Sequence, residues 1–106
     1  DITIPCAKTF TLLKIQTSHA AWVTLYIDTA SRTNDAGRDI NTDPEAGSGV
    51  LAEVITSDGS TINITPGTIG WNNDGTPAAQ VYAKVVNKSG SQQDLTVTLH
   101  YVALEV

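Results

Sequence analysis

Ala21-Trp22-Val23-Thr24-Leu25-Tyr26-Ile27-Asp28 alternates residue by residue. In an extended chain Ala21, Val23, Leu25 and Ile27 share one face, and Trp22, Thr24, Tyr26 and Asp28 share the other. The small and aliphatic quartet suits a core. The opposite face then carries two large aromatics, Trp22 and Tyr26, which something must cover. Three covers are open at this point: the long polar loop that follows, a neighbouring subunit, or a sugar ring stacked on the indole.

The same period extends in both directions. Thr9 to Gln16 alternates more weakly, with Phe10 and Leu12 on one side and Leu13 and Ile15 on the other. Val50 to Thr56 and Thr61 to Ile64 are β-prone runs joined by Ser57-Asp58-Gly59-Ser60, whose Asp-Gly is a strong hairpin signal. Val81 to Asn87 and Leu95 to Glu105 are further strands, separated by Lys88-Ser89-Gly90-Ser91. Asp1 to Pro5 reads as an edge strand, because Pro5 cannot donate to a ladder; the alternative is a strand exchanged with a neighbour. Helical periodicity is nearly absent. Turn-punctuated strands of this kind predict an all-β fold, an antiparallel β-sandwich of jelly-roll-like character with six to eight strands.

At 106 residues and 41% apolar content, residues 1–106 make a single domain with one core. Six Lys and Arg against 11 Asp and Glu leave a formal charge of -5. A nucleic-acid partner is excluded by the lack of a basic footprint to neutralise phosphates. No apolar run approaches the ~18 residues of a membrane-spanning helix, so no membrane partner is expected. Cys6 is the sole cysteine and reads as a small buried hydrophobe. The chain has no Met and opens on Asp1, which reads as a domain of a longer parent or a processed product.

Between Asp28 and Gly49 lies DTASRTNDAGRDINTDPEAGSG, a connection longer than the ~12–15 residues at which loops become uncommon in compact domains. It reads as structureless in secondary-structure terms yet braced. Arg32 with Asp35, and Arg38 with Asp39 or Asp43, are the expected ion pairs. Asp35, Asp39 and Asp43 recur at four-residue intervals and invite a calcium reading, as do Asn72, Asn73 and Asp74. The alternating Asp spacing of a calcium loop is missing, and the arginines neutralise the carboxylates, so no metal and no cofactor is assigned.

Trp71, in a turn-rich stretch with Asn72, Asn73 and Asp74, has the composition of a glycan platform; the simpler reading is a tryptophan plugging one end of the sandwich. His19 and His100 stand in no nucleophile motif, so no catalytic residue is assigned and an enzyme is not expected. Asn63-Ile64-Thr65 and Asn87-Lys88-Ser89 match a glycosylation sequon at the frequency chance allows in so Ser- and Thr-rich a chain.

A series of short strings in fixed order carries a resemblance: Ala21 to Tyr26, Arg32, Asp35, Arg38, Thr42-Asp43-Pro44, Gly47-Ser48-Gly49-Val50, Glu53 to Thr56, Ile64-Thr65-Pro66-Gly67, Gly70 to Asp74, and Val85 to Gly90. Together they resemble a β-domain of structural proteins of tailed bacteriophages, notably phages of marine cyanobacteria. Thr24 stands where that family places a basic residue, and Trp71 where another aromatic is common. The resemblance implies a non-enzymatic virion module, associated with a fibre, neck or baseplate and located in the extracellular particle. Its partners would be copies of itself, with a homotrimer suiting a fibre, and other virion proteins. Trp22 and Tyr26 would then be subunit contacts. Two further classes stand beside it: a carbohydrate-binding or host-receptor adhesion module, using Trp71, Asn72, Asn73 and Asp74 on a host-surface glycan, and a capsid-decorating or extracellular filament subunit.

Overall fold

The computed structural model describes residues 1–57, 60–92 and 94–106. Its elements in chain order are β1 (Ile2–Pro5), β2 (Thr9–Thr17), β3 (Ala21–Tyr26), α1 (Thr29–Asn34), β4 (Val50–Ile55), β5 (Thr61–Trp71), β6 (Gln80–Asn87) and β7 (Val97–Glu105). Two antiparallel sheets form an all-β sandwich: sheet A has the order β1-β6-β3-β4 and sheet B the order β5-β2-β7. The pairing nests β3/β4 inside β2/β5 inside β1/β6, a wrapped hairpin, with seven strands among the described residues where a jelly roll has eight. The Asp58-Gly59 turn lies outside the described residues. No described helix is long and apolar enough to cross a membrane.

β3 occupies the interior of sheet A, and all six of its residues are buried. Ala21, Val23 and Leu25 enter the core as their alternation predicts, joined by Val54 from β4, Val81 and Ala83 from β6, and Phe10, Leu12 and Ile15 from β2. Only side chains on alternate positions of both sheets can meet between the layers, and this set does.

β2 departs from simple alternation. The reading that set Leu13 and Ile15 on one face against Phe10 and Leu12 fails at a bulge between Leu12 and Lys14. One extra residue, Leu13, is left out of the ladder at 38% exposed. The phase beyond it flips, so that Phe10, Leu12, Ile15 and Thr17 all point inward.

β5 runs to Trp71 and does not stop at Ile64. Its register with β2 shifts across the same bulge, from Asn63 opposite Lys14 to Thr68 opposite Leu12. A proline in the sequence of β5 is compatible with the edge position of that strand.

β1 pairs with β6 of its own chain, Ile2 opposite Ala83 and Pro5 opposite Gln80. That is the edge-strand reading and not the exchanged strand. The long loop was expected to be without secondary structure, but it opens with α1.

Gly70 faces Phe10 across the β2–β5 ladder, and a Cβ at Gly70 would enter the Phe10 ring. Phe10 is only 1% exposed and is packed within the core cluster. Gly70→Ala should therefore destabilise the domain by about 1–3 kcal/mol, the usual cost of overpacking, read as a lower urea midpoint with an unchanged m-value.

Candidate functional site

The loop between β3 and β4 folds back over the outer face of sheet A. Asp28 starts it: extended at φ -155, its carboxylate accepts a hydrogen bond from the Ser31 backbone N–H at 2.8 Å and caps α1. A six-residue helix is too short to persist alone. It is held by tertiary contact at both ends. At the far end of the loop, the Ile27 N–H donates to the Gly49 carbonyl at 3.1 Å. Gly49 has φ +86, and a Cβ on it would collide with the Ser31 side chain, so the closure requires glycine.

Beneath the loop, the sheet register assembles a row of polar side chains. Thr24 on β3 lies between Glu53 of β4 and Lys84 of β6. Trp22 and Tyr26 flank Thr24 on the same face. The Glu53 carboxylate accepts from the Trp22 indole N–H and the Thr24 hydroxyl, each at 2.9 Å. Asp35, the C-terminal cap of α1, accepts from the Tyr26 hydroxyl at 2.6 Å. Arg38 then bridges the two carboxylates, with Nε 2.8 Å from Asp35 Oδ1 and a close pair to Glu53 Oε2. Lys84 completes the cluster, donating to the Asp35 carbonyl at 3.1 Å with its Nζ 3.5 Å from the Asp35 carboxylate.

Both cations also lie on the indole of Trp22: Lys84 Nζ is 4.4 Å and Arg38 Cζ 5.5 Å from its centroid. Trp22 is left 6% exposed and Tyr26 0%.

These contacts set the protonation states. Burial alone would raise the carboxyls of Asp35 and Glu53, but hydrogen bonds from Arg38 to both, with Tyr26 on Asp35 and Trp22 and Thr24 on Glu53, hold them below the ordinary carboxylate range. Bonding to the same two carboxylates raises the Arg38 guanidinium above its usual value. Burial, and then the neighbouring Asp35, push the Tyr26 phenol well above its ordinary value. Each group is locked in the charge state that suits its partner, which is the chemistry of a brace. A general acid or base would instead be poised near neutrality.

Several expected site residues take other partners. Arg32 does not reach Asp35: it donates to the Ile2 carbonyl at 2.8 Å, lies 3.5 Å from the Asp1 carboxylate and covers the Tyr82 ring at 5.4 Å, tying β1 to the loop. Asp35 is one of the two carboxylate partners of Arg38; the expected Asp39 and Asp43 are neither of them. Asp39 accepts from the Asn41 N–H at 3.1 Å in an Asx-turn. Asp43 lines an open depression of about 550 Å³ with Asp35, Arg38 and Glu45. Trp22 and Tyr26 are covered by their own chain, so their rings do not form the expected subunit contact.

Trp71 ends β5 and is 44% exposed, so it does not plug the sandwich. Its neighbours are committed elsewhere. Asn72 is 5% exposed; its amide donates to the Gln80 carbonyl at 3.1 Å, and its carbonyl accepts from the N–H groups of Asp74 and Ala78. Asn73 donates to Asp28 at 3.3 Å, and Asp74 accepts from the Tyr82 hydroxyl at 2.5 Å. Burial pushes the Cys6 thiol up, away from reactive thiolate character. Among the described residues, no three His, Cys, Asp or Glu side chains are grouped as metal ligands would be.

Glu53 and Lys84 escaped sequence reading. Their signal is visible in retrospect: each is a charged residue inside an otherwise apolar strand. Which charges face one another depends on strand register, and the sequence does not spell that out. Compared with known proteins, the chain matches no family model, no curated protein and no solved structure.

Two outcomes test the brace. Arg38→Met leaves the half-buried Glu53 carboxylate without a cation and the buried Asp35 with Lys84 alone, and should cost about 1–3 kcal/mol, measured by urea unfolding. Acid should act on the same carboxyls. Their folded values lie below the unfolded ones, so their contribution is complete above about pH 4–5 and fades as pH falls through the lower folded values. Urea midpoints should fall in that acid window, and Asp35→Asn should flatten the fall.

Proposed function

We propose that this domain is a non-enzymatic structural module of a tailed-phage virion, associated with a fibre, neck or baseplate. The sandwich acts as a rigid scaffold, and its exposed surfaces meet further copies, other virion proteins or the host surface. The observation that carries the reading is the use made of the loop's polar groups. Asp35 and Arg38 are bonded to Glu53, Lys84, Tyr26 and one another over the sheet, where they rigidify the fold. Large apolar side chains stand outside instead, with Ile69 51%, Val102 52% and Trp71 44% exposed. An exposed apolar group on a well-braced domain suits a protein that works by contact. The virion assignment itself comes from the fixed-order sequence resemblance.

A glycan-binding reading rests on one observation, the half-exposed Trp71 indole beside Ile27, Pro44 and Val50 in an open depression of about 480 Å³. The amides of Asn72 and Asn73, already bonded within the chain, supply it less than their sequence suggests.

Purified particles of a phage encoding this chain, analysed by mass spectrometry after separation of heads and tails, should contain it in the tail fraction. Its absence from the particle would refute the virion reading. On a glycan array, a signal lost in Trp71→Ala would favour the adhesion module in its place.

A further inference from the structure

Sheet A has four strands and sheet B three. β4 and β5 adjoin at one flank of the sandwich, so sheet B falls one strand short at the flank shared by β1 and β7. Among the described residues β7 is thus an edge, bonded to β2 on one side only.

Its inward positions are not closed over. Val97, Leu99, Tyr101 and Ala103 stand opposite Thr17, Ile15, Leu12 and Phe10, each of which is 1% exposed or less. Yet Tyr101 is 38% exposed, Ala103 is exposed, and Val97 and Leu99 are only half-buried. The outward side is apolar in part as well, with Val102 at 52%.

Natural sheet edges are blunted by shortness, charge or proline. β1 has four residues and ends on Pro5; β5 carries Pro66; β4 carries Glu53 and is flanked by β5. β7 has nine residues with no Pro, Lys or Arg, and its one acidic residue is Glu105 at its end. A bulge between Ala103 and Glu105 places that carboxylate beyond the regular span from Val97 to Ala103.

We infer that β7 is a self-pairing edge: β7 of a second copy of this chain adds to it antiparallel across a two-fold axis through His100. The strand complements itself in that register. Leu99 lies opposite Tyr101 and Val97 opposite Ala103 on the inward side, while on the outward side Thr98 lies opposite Val102 and His100 opposite its own copy; the regular span brings no carboxylate, Lys or Arg pair together. Aliphatic–aromatic and β-branched cross-strand pairs are favourable contacts. The joined sheet reads β5-β2-β7-β7-β2-β5, and the exposed inward side chains of each copy gain cover from the other. Each copy carries a net charge of -5, so the pairing strengthens with added salt as long-range repulsion is screened. This contact follows from the sheet edge and does not depend on the virion reading.

Sedimentation equilibrium of the full chain from about 1 µM upward should give a dimer, tighter at higher salt. Thr98→Lys/Val102→Lys sets like charges opposite each other twice on the solvent side and should weaken the dimer roughly tenfold or more. Thr98→Glu/Val102→Lys makes the same positions complementary and should restore it. Far-UV circular dichroism confirms that each variant is folded. A monomer throughout, a trimer, or a dimer indifferent to the double-lysine change would each overturn the pairing. A trimer would do so while leaving the fibre reading intact.

Discussion

Arg38 is the constraint on which the rest of the molecule turns. Its guanidinium reaches Asp35 at the end of α1 and Glu53 on β4, and it lies on the Trp22 ring of β3. One side chain thereby ties the long loop to two strands and closes the outer face of sheet A. A β-sandwich ordinarily leaves the outer face of each sheet to water, so only the inner residues need be apolar. Here the central strand is buried on both sides, and its outer side holds Trp22, Thr24 and Tyr26. Those residues need a cover that also meets the indole N–H and the two hydroxyls. A purely apolar lid would strand them; the Asp35, Glu53, Arg38 and Lys84 cluster supplies a partner to each.

The cluster has an energetic character of its own. A buried ion pair gains little over a well-packed apolar substitute, but losing one member leaves the others desolvated and unpaired. The brace therefore contributes little net stability while making the loop's position close to all-or-none. Contact surfaces built on a loop benefit from that property, because a wandering loop would present a different surface at each encounter. Arg32 extends the same logic to the edge, fastening β1 through the Ile2 carbonyl.

Much of the fold was legible in the residues. The alternation from Ala21 to Tyr26 marked the buried strand, Pro5 marked β1 as an edge, and the unusual length and composition of the loop marked it as ordered. Three things were not legible, for physical reasons. The bulge at Leu13 shifts phase without a glycine to announce it, which hid the inward position of Ile15 relative to Phe10 and Leu12. The helix from Thr29 to Asn34 has no apolar stripe, since none of its residues is buried, so helical periodicity had nothing to show there. The partners of Arg38 were sought nearby at Asp39 and Asp43, whereas Glu53 lies across a strand pairing whose register only the fold determines. Local spacing finds ion pairs on helices; in sheets the pairing partner is set at a distance.

The central claim is that the loop is an ordered cover fastened through Arg38. Native-state hydrogen exchange of the backbone amides of Asp35 and Arg38 tests it most directly. These N–H groups bond to the carbonyls of Ser31 and Asp35, at 3.1 Å each. The account predicts that they exchange only through an opening as costly as that of the β3 amides beneath them. Exchange at the rate of an unstructured peptide, while β3 stays protected, would contradict it.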